Sequence, residues 1–466
     1  MRQPLHTAAT VLALACAVAF TGCGGGSAGG SSIPPMSSPS TSPPTVPPGS
    51  GSSSTPSPTP TPTASAASVP TAPPTYAALY NAVGTQVSQF SNAVSAQCAG
   101  ANYPTKIYTI LLPADSNGIY SSLIGASPAT VTAMANNAIA FATGYQQRFG
   151  ITGFRISINY PTLVSNPANL PSSTFTVANY ATYLSYYQQV VQGLRAAGLG
   201  VDIESNILFP QYAGSQYNFN GLTLPMLEAG LAENGQHIID NLKPDHLNLG
   251  AEPSTIAFQT GFSSVNDPSN YPAYLNAIRS QINNSNPGGT KIGAGSDDWQ
   301  SNAFVTNLLS MTSLDYYDLH MYPPDYLQNG IADLQQLKAS GKPLIVTESW
   351  LDKEDAGSDG TSGPIDSQIV FVRDAYSFWG TIDQQYVSSL IQLARCNNVQ
   401  NLDLSYALML YTYVDFSPTT ANYAYSQMLA ALNTSLQAAE GAGTVTPAGQ
   451  AVQRYTGVTQ SALRRR

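Results

Sequence analysis

Charge is what this chain has least of. Of its 466 residues only 17 are Lys or Arg and 26 are Asp or Glu, 9% charged in all, where an ordinary soluble domain carries about a quarter. The net charge of −9 leaves no basic patch of the kind that nucleic-acid binding requires, and it repels polyanionic substrates. The one basic run, Arg464-Arg465-Arg466, reads as a solvated tail. Histidine is almost as scarce, with four residues of which His6 stands in the leader. A hydrolytic metal centre usually takes several His ligands, so Asp297-Asp298 is not read as one, and neither metal nor cofactor is expected. Of the four cysteines, Cys16 goes with the leader and Cys23 is the lipid candidate, so Cys98 and Cys396 remain, in an oxidising compartment that permits a disulfide. No apolar run is long enough to anchor stably across a bilayer, and no Gly-rich phosphate fingerprint follows the first predicted strand. Tyr (27), Ser, Thr, Asn and Gln stand where charge is missing, a surface suited to an exported protein.

The first 22 residues have the layout of a bacterial lipoprotein signal: Arg2, then an apolar run from Ala8 to Phe20, then Phe20-Thr21-Gly22-Cys23. Cys23 is the expected lipidation site and mature N-terminus, and this would be the protein's only tie to a membrane. Residues 23–75 are almost wholly Gly, Ser, Pro and Thr, which cannot bury a core. They read as a disordered tether with an end-to-end distance of roughly 40 Å. The expected localisation is exported and membrane-anchored, on the periplasmic side or the cell surface, with a monomer as the default state.

Residues 76–466 read as one folded domain. After a helical stretch from Ala77 to Cys98, strand-like and helix-like segments alternate, which argues for a parallel α/β sheet. The predicted strands are Ile107–Leu112, Phe154–Tyr160, Val201–Ile207, His246–Ala251, Lys291–Gly295, Tyr316–Met321, Pro343–Thr347 and Leu402–Tyr411. Between them run helical stripes such as Val177, Tyr180, Leu184, Tyr187, Val191 and Leu194, with Thr176 placed to cap and Gly198 to stop the helix. Eight β/α units point to a single (β/α)8 TIM barrel; an open doubly wound sheet is the alternative. Cys98 precedes the first strand and Cys396 the eighth. These strands are neighbours only in a closed barrel, so a Cys98–Cys396 disulfide is expected with closure.

In a barrel, polar groups at the C-terminal strand ends carry the chemistry. Here they include Arg155 and Asn159 on the second strand, Glu204 and Asn206 on the third, and Glu252 where the fourth stops, in D-H-L-N-L-G-A-E-P-S. Asp297, Asp298 and Trp299 follow the fifth, His320 and Tyr322 end the sixth, and Glu348 and Trp350 end the seventh, in I-V-T-E-S-W. Strands four and seven lie across a barrel from each other, so Glu252 and Glu348 can face one another.

With these residues in place the chain resembles the clan-A glycoside hydrolases, the four/seven superfamily of barrel cellulases, mannanases and galactanases. The resemblance implies that Glu252 is the acid/base and Glu348 the nucleophile of a retaining hydrolase of β-linked glycans, acting by double displacement. It implies that Arg155 supports the nucleophile and that His320-Met321-Tyr322 lines the site. Asn206, Trp299 and Trp350 complete the expected substrate-binding set, the two Trp as sugar-stacking platforms. Two departures stand out. Ala251 occupies the place of the clan's Asn before the acid/base, and the strand-eight Trp is missing, with Tyr411 or Tyr413 nearby. The expected partner is a polysaccharide or oligosaccharide. Two further readings stay open: a non-catalytic carbohydrate-binding barrel, which Ala251 favours, and a transglycosylase using the same carboxylates.

Overall fold

The computed structural model describes residues 70–458 apart from 101, 172–174, 210–216, 285–288 and 354–366. The leader, Cys23 and most of the tether lie outside the described residues, as does Arg464-Arg465-Arg466. No helix among the described residues is long and apolar enough to cross a membrane.

Eight parallel strands close into one barrel in chain order, β1 pairing with both β2 and β8. They are β1 (Lys106–Ile110), β2 (Gly153–Ser157), β3 (Gly200–Glu204), β4 (His246–Asn248), β5 (Lys291–Asp297), β6 (Tyr316–Met321), β7 (Leu344–Ser349) and β8 (Val399–Asp403). All eight predicted strands exist, with shifted ends. β4 stops three residues short of Ala251, and β8 begins and ends early: Leu408–Tyr411 is helical. Apolar residues in Leu402–Tyr411 continue past the strand because that turn packs on the barrel wall. Tyr411 consequently points away from the mouth, edge-on to Tyr145 and Phe149 at 4.8 and 4.7 Å, and does not stand in for a strand-eight Trp.

Helices start where a Ser or Thr cap meets a proline suited to the first turn. Ser127 and Thr446 each accept a hydrogen bond from a first-turn N–H, ahead of helices Pro128–Phe149 and Pro447–Thr456. Thr176 caps the turn before helix Tyr180–Ala196, and Gly198 takes φ +74° after it, a conformation glycine adopts without steric cost. That helix buries Tyr183, Tyr186, Tyr187, Val190, Val191 and Leu194 against the barrel.

Helix Ala77–Gln97 packs against helix Gly380–Cys396, and Cys98 and Cys396 form a disulfide with Cα atoms 5.3 Å apart across 298 residues of chain. This ties the segment entering β1 to the segment entering β8.

The scarce charge is concentrated inside. About half of the chain's acidic side chains are buried, many of them in stacked polar layers within the barrel. In the lower layer Asp202 accepts from Asn401 at 2.7 Å and lies 2.7 Å from His246 Nδ1. Above it Asn248 and Thr347 donate to Asp318. The third layer, at the C-terminal mouth, holds the carboxylates predicted for chemistry.

Candidate active site

β7 delivers two polar residues to this layer instead of one. Asp318 pairs with Ile345 but His320 pairs with Glu348, so an extra residue of β7 stands opposite Leu319. Such a bulge re-aims side chains that would otherwise alternate faces. Thr347 and Glu348, although consecutive, both reach the interior: Thr347 Oγ1 lies 3.0 Å from His320 Nε2, and Glu348 Oε2 lies 3.7 Å from His320 Nδ1.

Glu252 sits at the N-terminus of helix Pro253–Thr260, where a carboxylate commonly caps the first backbone N–H groups. Its side chain makes no such bond. Instead Oε2 accepts from Thr255 Oγ1 at 2.7 Å and Oε1 stands 2.9 Å from His320 Nδ1. The carboxylate is therefore aimed into the barrel mouth rather than spent on the helix. His320 Nδ1 is common to the two glutamates, so the two carboxylate oxygens lie no farther apart than 2.9 Å and 3.7 Å laid end to end, about 6.6 Å.

Glu348 is held by one ion pair and one hydrogen bond. Arg155 Nη1 stands 2.8 Å from Oε1, and Tyr322 donates its hydroxyl to Oε2 at 2.7 Å. The same Arg155 nitrogen lies 2.7 Å from Glu204 Oε2 and 2.8 Å from Ser157 Oγ, with Asp403 at 4.0 Å from Nε. Asn206, two residues past the end of β3, donates to Glu204 Oε1 at 3.4 Å. Glu204, His320 and Glu348 have the spacing to ligate a metal ion, their donor atoms lying within 4.8 Å of one another. Arg155 Nη1 already bridges both carboxylates of that trio, so the guanidinium supplies the cation there.

Burial dominates the electrostatics. Glu348 is wholly inaccessible, and desolvation pushes its carboxyl up to about 8 while Arg155 and His320 pull it down. Burial works against a charged imidazole at His320, but Glu348, Asp318 and Glu252 overcome it and raise its pKa well above the ordinary value. That direction favours the protonated ring, with Nδ1 facing Glu252 Oε1 at 2.9 Å and Nε2 facing Thr347 Oγ1 at 3.0 Å. Desolvation first, and then the charge of Glu348, raise the Tyr322 phenol well above its usual range, which keeps it a donor. Desolvation also lifts Asp115 and Asp403, each to about 7.

The two tryptophans have different places. Trp299 extends its Nε1 to Ser254 Oγ at 3.4 Å, two residues past Glu252, with its ring 6.1 Å from that of Tyr322, so it borders the site. Trp350 is completely buried, edge-on to Tyr406, with the Lys353 ammonium 5.6 Å from its ring centre. Its ring packs on protein groups. Tyr413 donates to Asp383 at 2.6 Å, in the buried cluster around Lys353. Thr255, Asp318 and Thr347 serve the site without having been singled out from sequence. Thr255 lies one helical turn after Glu252, and Asp318 alternates with His320 along β6; only the β7 bulge gives Thr347 its inward aim.

The protein's solved neighbours include barrel glycoside hydrolases. One is a β-1,4-mannanase of glycoside hydrolase family 113, 9% identical, covering 77% of this chain and 100% of its own, with TM-score 0.39. An exo-β-1,4-mannosidase from an Opitutaceae bacterium is 12% identical over 73% of this chain and 61% of its own, with TM-score 0.41. A family 1 β-glucosidase from Thermotoga maritima is 11% identical over 71% of this chain and 93% of its own, with TM-score 0.39. No protein-family model and no curated relative matches the sequence.

Proposed function

We propose that this protein is a retaining glycoside hydrolase of β-linked glycans, endo-acting, exported and tethered by a lipid on Cys23. The observation that carries the reading is the sharing of His320 by Glu252 and Glu348, which limits their separation to about 6.6 Å. Retention needs two carboxyl groups about 5–5.5 Å apart, whereas an inverting enzyme places them about 6.5–9.5 Å apart to admit a water. Glu348, with Arg155 and Tyr322 fixing both oxygens, is oriented to attack an anomeric carbon. Glu252, not used as a helix cap, is free to protonate the departing oxygen and then to take a proton from water. His320 Nδ1, 2.9 Å away, can hydrogen-bond the Glu252 carboxylate between those two steps, and the proton taken from water restores the acid.

Reducing-end release from β-linked glucans, mannans, galactans and xylans tests the activity. Azide rescue tests the roles. In Glu348→Ala azide should replace the nucleophile and give a glycosyl azide of inverted configuration; in Glu252→Ala it should attack the glycosyl-enzyme and give the retained one. The opposite pairing would exchange the two assignments.

One observation favours a carbohydrate-binding barrel without catalysis: Ala251, fully buried, brings no side-chain amide to the sugar. Saturable glycan binding with no new reducing ends would establish it. Transfer to added sugar acceptors in place of water would mark a transglycosylase.

A further inference from the structure

β5 brings polar groups to the mouth that the double displacement does not use. Asp297, its last residue, pairs in register with His320 and so shares the face of the sheet on which His320 meets Glu252. Gly293 and Gly295 precede it at the same alternation. A Cβ at either would run into β6, at the Tyr316 ring or the Asp318 carbonyl, so only Asp297 extends a side chain from this row. Gln300 follows Trp299 at the start of the next loop. Asp297 is 1% exposed and Gln300 4%. Neither carboxylate oxygen of Asp297 and neither side-chain polar atom of Gln300 has a hydrogen-bond partner among the described residues. An unpaired buried polar atom is costly, so four of them on one short segment are suited to exchange hydrogen bonds with a bound molecule.

The charge around them narrows what that molecule is. Glu204, Glu252, Asp298, Glu348 and Asp403 are all buried at this end of the barrel, around Arg155 and His320. Arg155 is already shared by Glu204 and Glu348, and His320 by Glu252 and Asp318. Each of these cations already faces two carboxylates, so the excess negative charge disfavours a carboxylate or sulfate. A sugar hydroxyl both donates and accepts, which answers a carboxyl oxygen and both ends of a Gln amide. Trp299, between the two residues, reaches Ser254 just beyond Glu252 and fixes the segment beside the acid/base.

We propose that Asp297 and Gln300 bind hydroxyls of an uncharged sugar next to Glu252, and that they restrict the protein to neutral glycans. The assignment rests on the glycosidase reading for the location of the site and names the substrate class within it. Burial pushes the Asp297 carboxyl well above the ordinary range, with the charges of Glu252 and Asp298 adding to it and His320 opposing. In its protonated form Asp297 offers a hydroxyl proton as well as a carbonyl acceptor.

Calorimetry on the full chain carrying Glu348→Gln, with cellotetraose, mannotetraose, xylotetraose, β-1,4-galactotetraose and tetragalacturonate as probes, tests this. At least one neutral tetrasaccharide should bind and tetragalacturonate should not. Adding Gln300→Ala or Asp297→Leu should weaken that binding at least tenfold, whereas Asp297→Asn, which keeps a donor and an acceptor, should stay within about threefold. If Asp297→Leu does not fold, Gln300→Ala carries the test alone. Binding unchanged in Gln300→Ala, no binding of any neutral probe, or binding of tetragalacturonate overturns the proposal. A neutral probe that binds, loses affinity in these variants and is recovered uncleaved from the unsubstituted protein defeats the glycosidase reading and leaves this assignment standing.

Discussion

Arg155 Nη1 and Glu348 Oε1 stand 2.8 Å apart at the barrel mouth, and neither side chain is more than 1% exposed. Out of water such a pair is strong only while both partners and their hydrogen bonds are present. Here the same nitrogen also holds Glu204, so removing charge from Glu348 leaves the guanidinium with a second carboxylate. Glu348→Gln is therefore expected to fold, with a melting temperature within a few degrees of the parent, and to lose at least about 10³-fold in turnover. Reducing-end release beside a thermal melt checks it; near-normal turnover would falsify the nucleophile assignment.

Tyr322→Phe removes the hydroxyl that donates to Glu348 Oε2 at 2.7 Å. The ionised carboxylate loses a stabilising bond, so the Glu348 pKa should rise and kcat should fall about 10–100-fold. A pH–rate profile separates this from mere loss of packing: the limb on which activity rises with pH must move to higher pH in the variant.

In the unsubstituted protein that limb should itself lie high. A nucleophile must be deprotonated, so activity is lost as pH falls through its pKa. Burial pushes the Glu348 carboxyl up to about 8, and kcat/KM should still be climbing between pH 6 and about 8. A plateau reached by pH 5 would show that Arg155 and Tyr322 override burial.

Stability should follow the opposite course. Asp115 and Asp403 are raised to about 7 and Glu348 to about 8 in the fold, from unfolded values near 4. Between those values the folded state holds more protons than the unfolded chain, so stability falls as pH rises. His320 adds to the trend: its pKa is raised, and its contribution is complete below about pH 6.5 and lost as pH climbs through the folded value. Glu233, lowered to about 2 by its hydrogen bonds from His237, Asn169 and Ser165 against burial, acts only below about pH 4.5. Differential scanning calorimetry should give a melting temperature at least about 3 °C higher at pH 5 than at pH 8.

The Cys98–Cys396 bridge closes a loop of 298 residues. A crosslink over such a span stabilises by about 5–6 kcal/mol on chain-entropy grounds. Replacing both cysteines by Ser should lower the denaturation midpoint by a matching amount while leaving glycan hydrolysis at low denaturant unchanged, because the bridge enters at the start of β1 and β8, away from the mouth. Equilibrium denaturation in urea measures it.

Local rules reached far into this fold because barrel strands are short, buried on both faces and separated by helices with Ser/Thr–Pro starts. That pattern is written residue by residue, and it is enough to count eight β/α units and to pair Cys98 with Cys396. Strand ends were less legible. The run through Leu402–Tyr411 is apolar whether it continues as strand or turns into helix, so Tyr411 was placed near the mouth when its ring packs on Tyr145 and Phe149. The stacking role expected of Trp350 met a similar limit, since a buried aromatic and a sugar platform look alike in sequence.

By itself the sequence determined the class of the molecule: one parallel α/β domain, with glutamates at the ends of strands four and seven. Which carboxylates share a proton, which cation neutralises them and which polar atoms remain for a sugar were decided by the tertiary structure. The β7 bulge turns two consecutive residues inward, Arg155 distributes one nitrogen between Glu204 and Glu348, and desolvation sets the protonation of groups that in water would all be ionised. These are properties of distance and dielectric, and both arise only when the barrel closes.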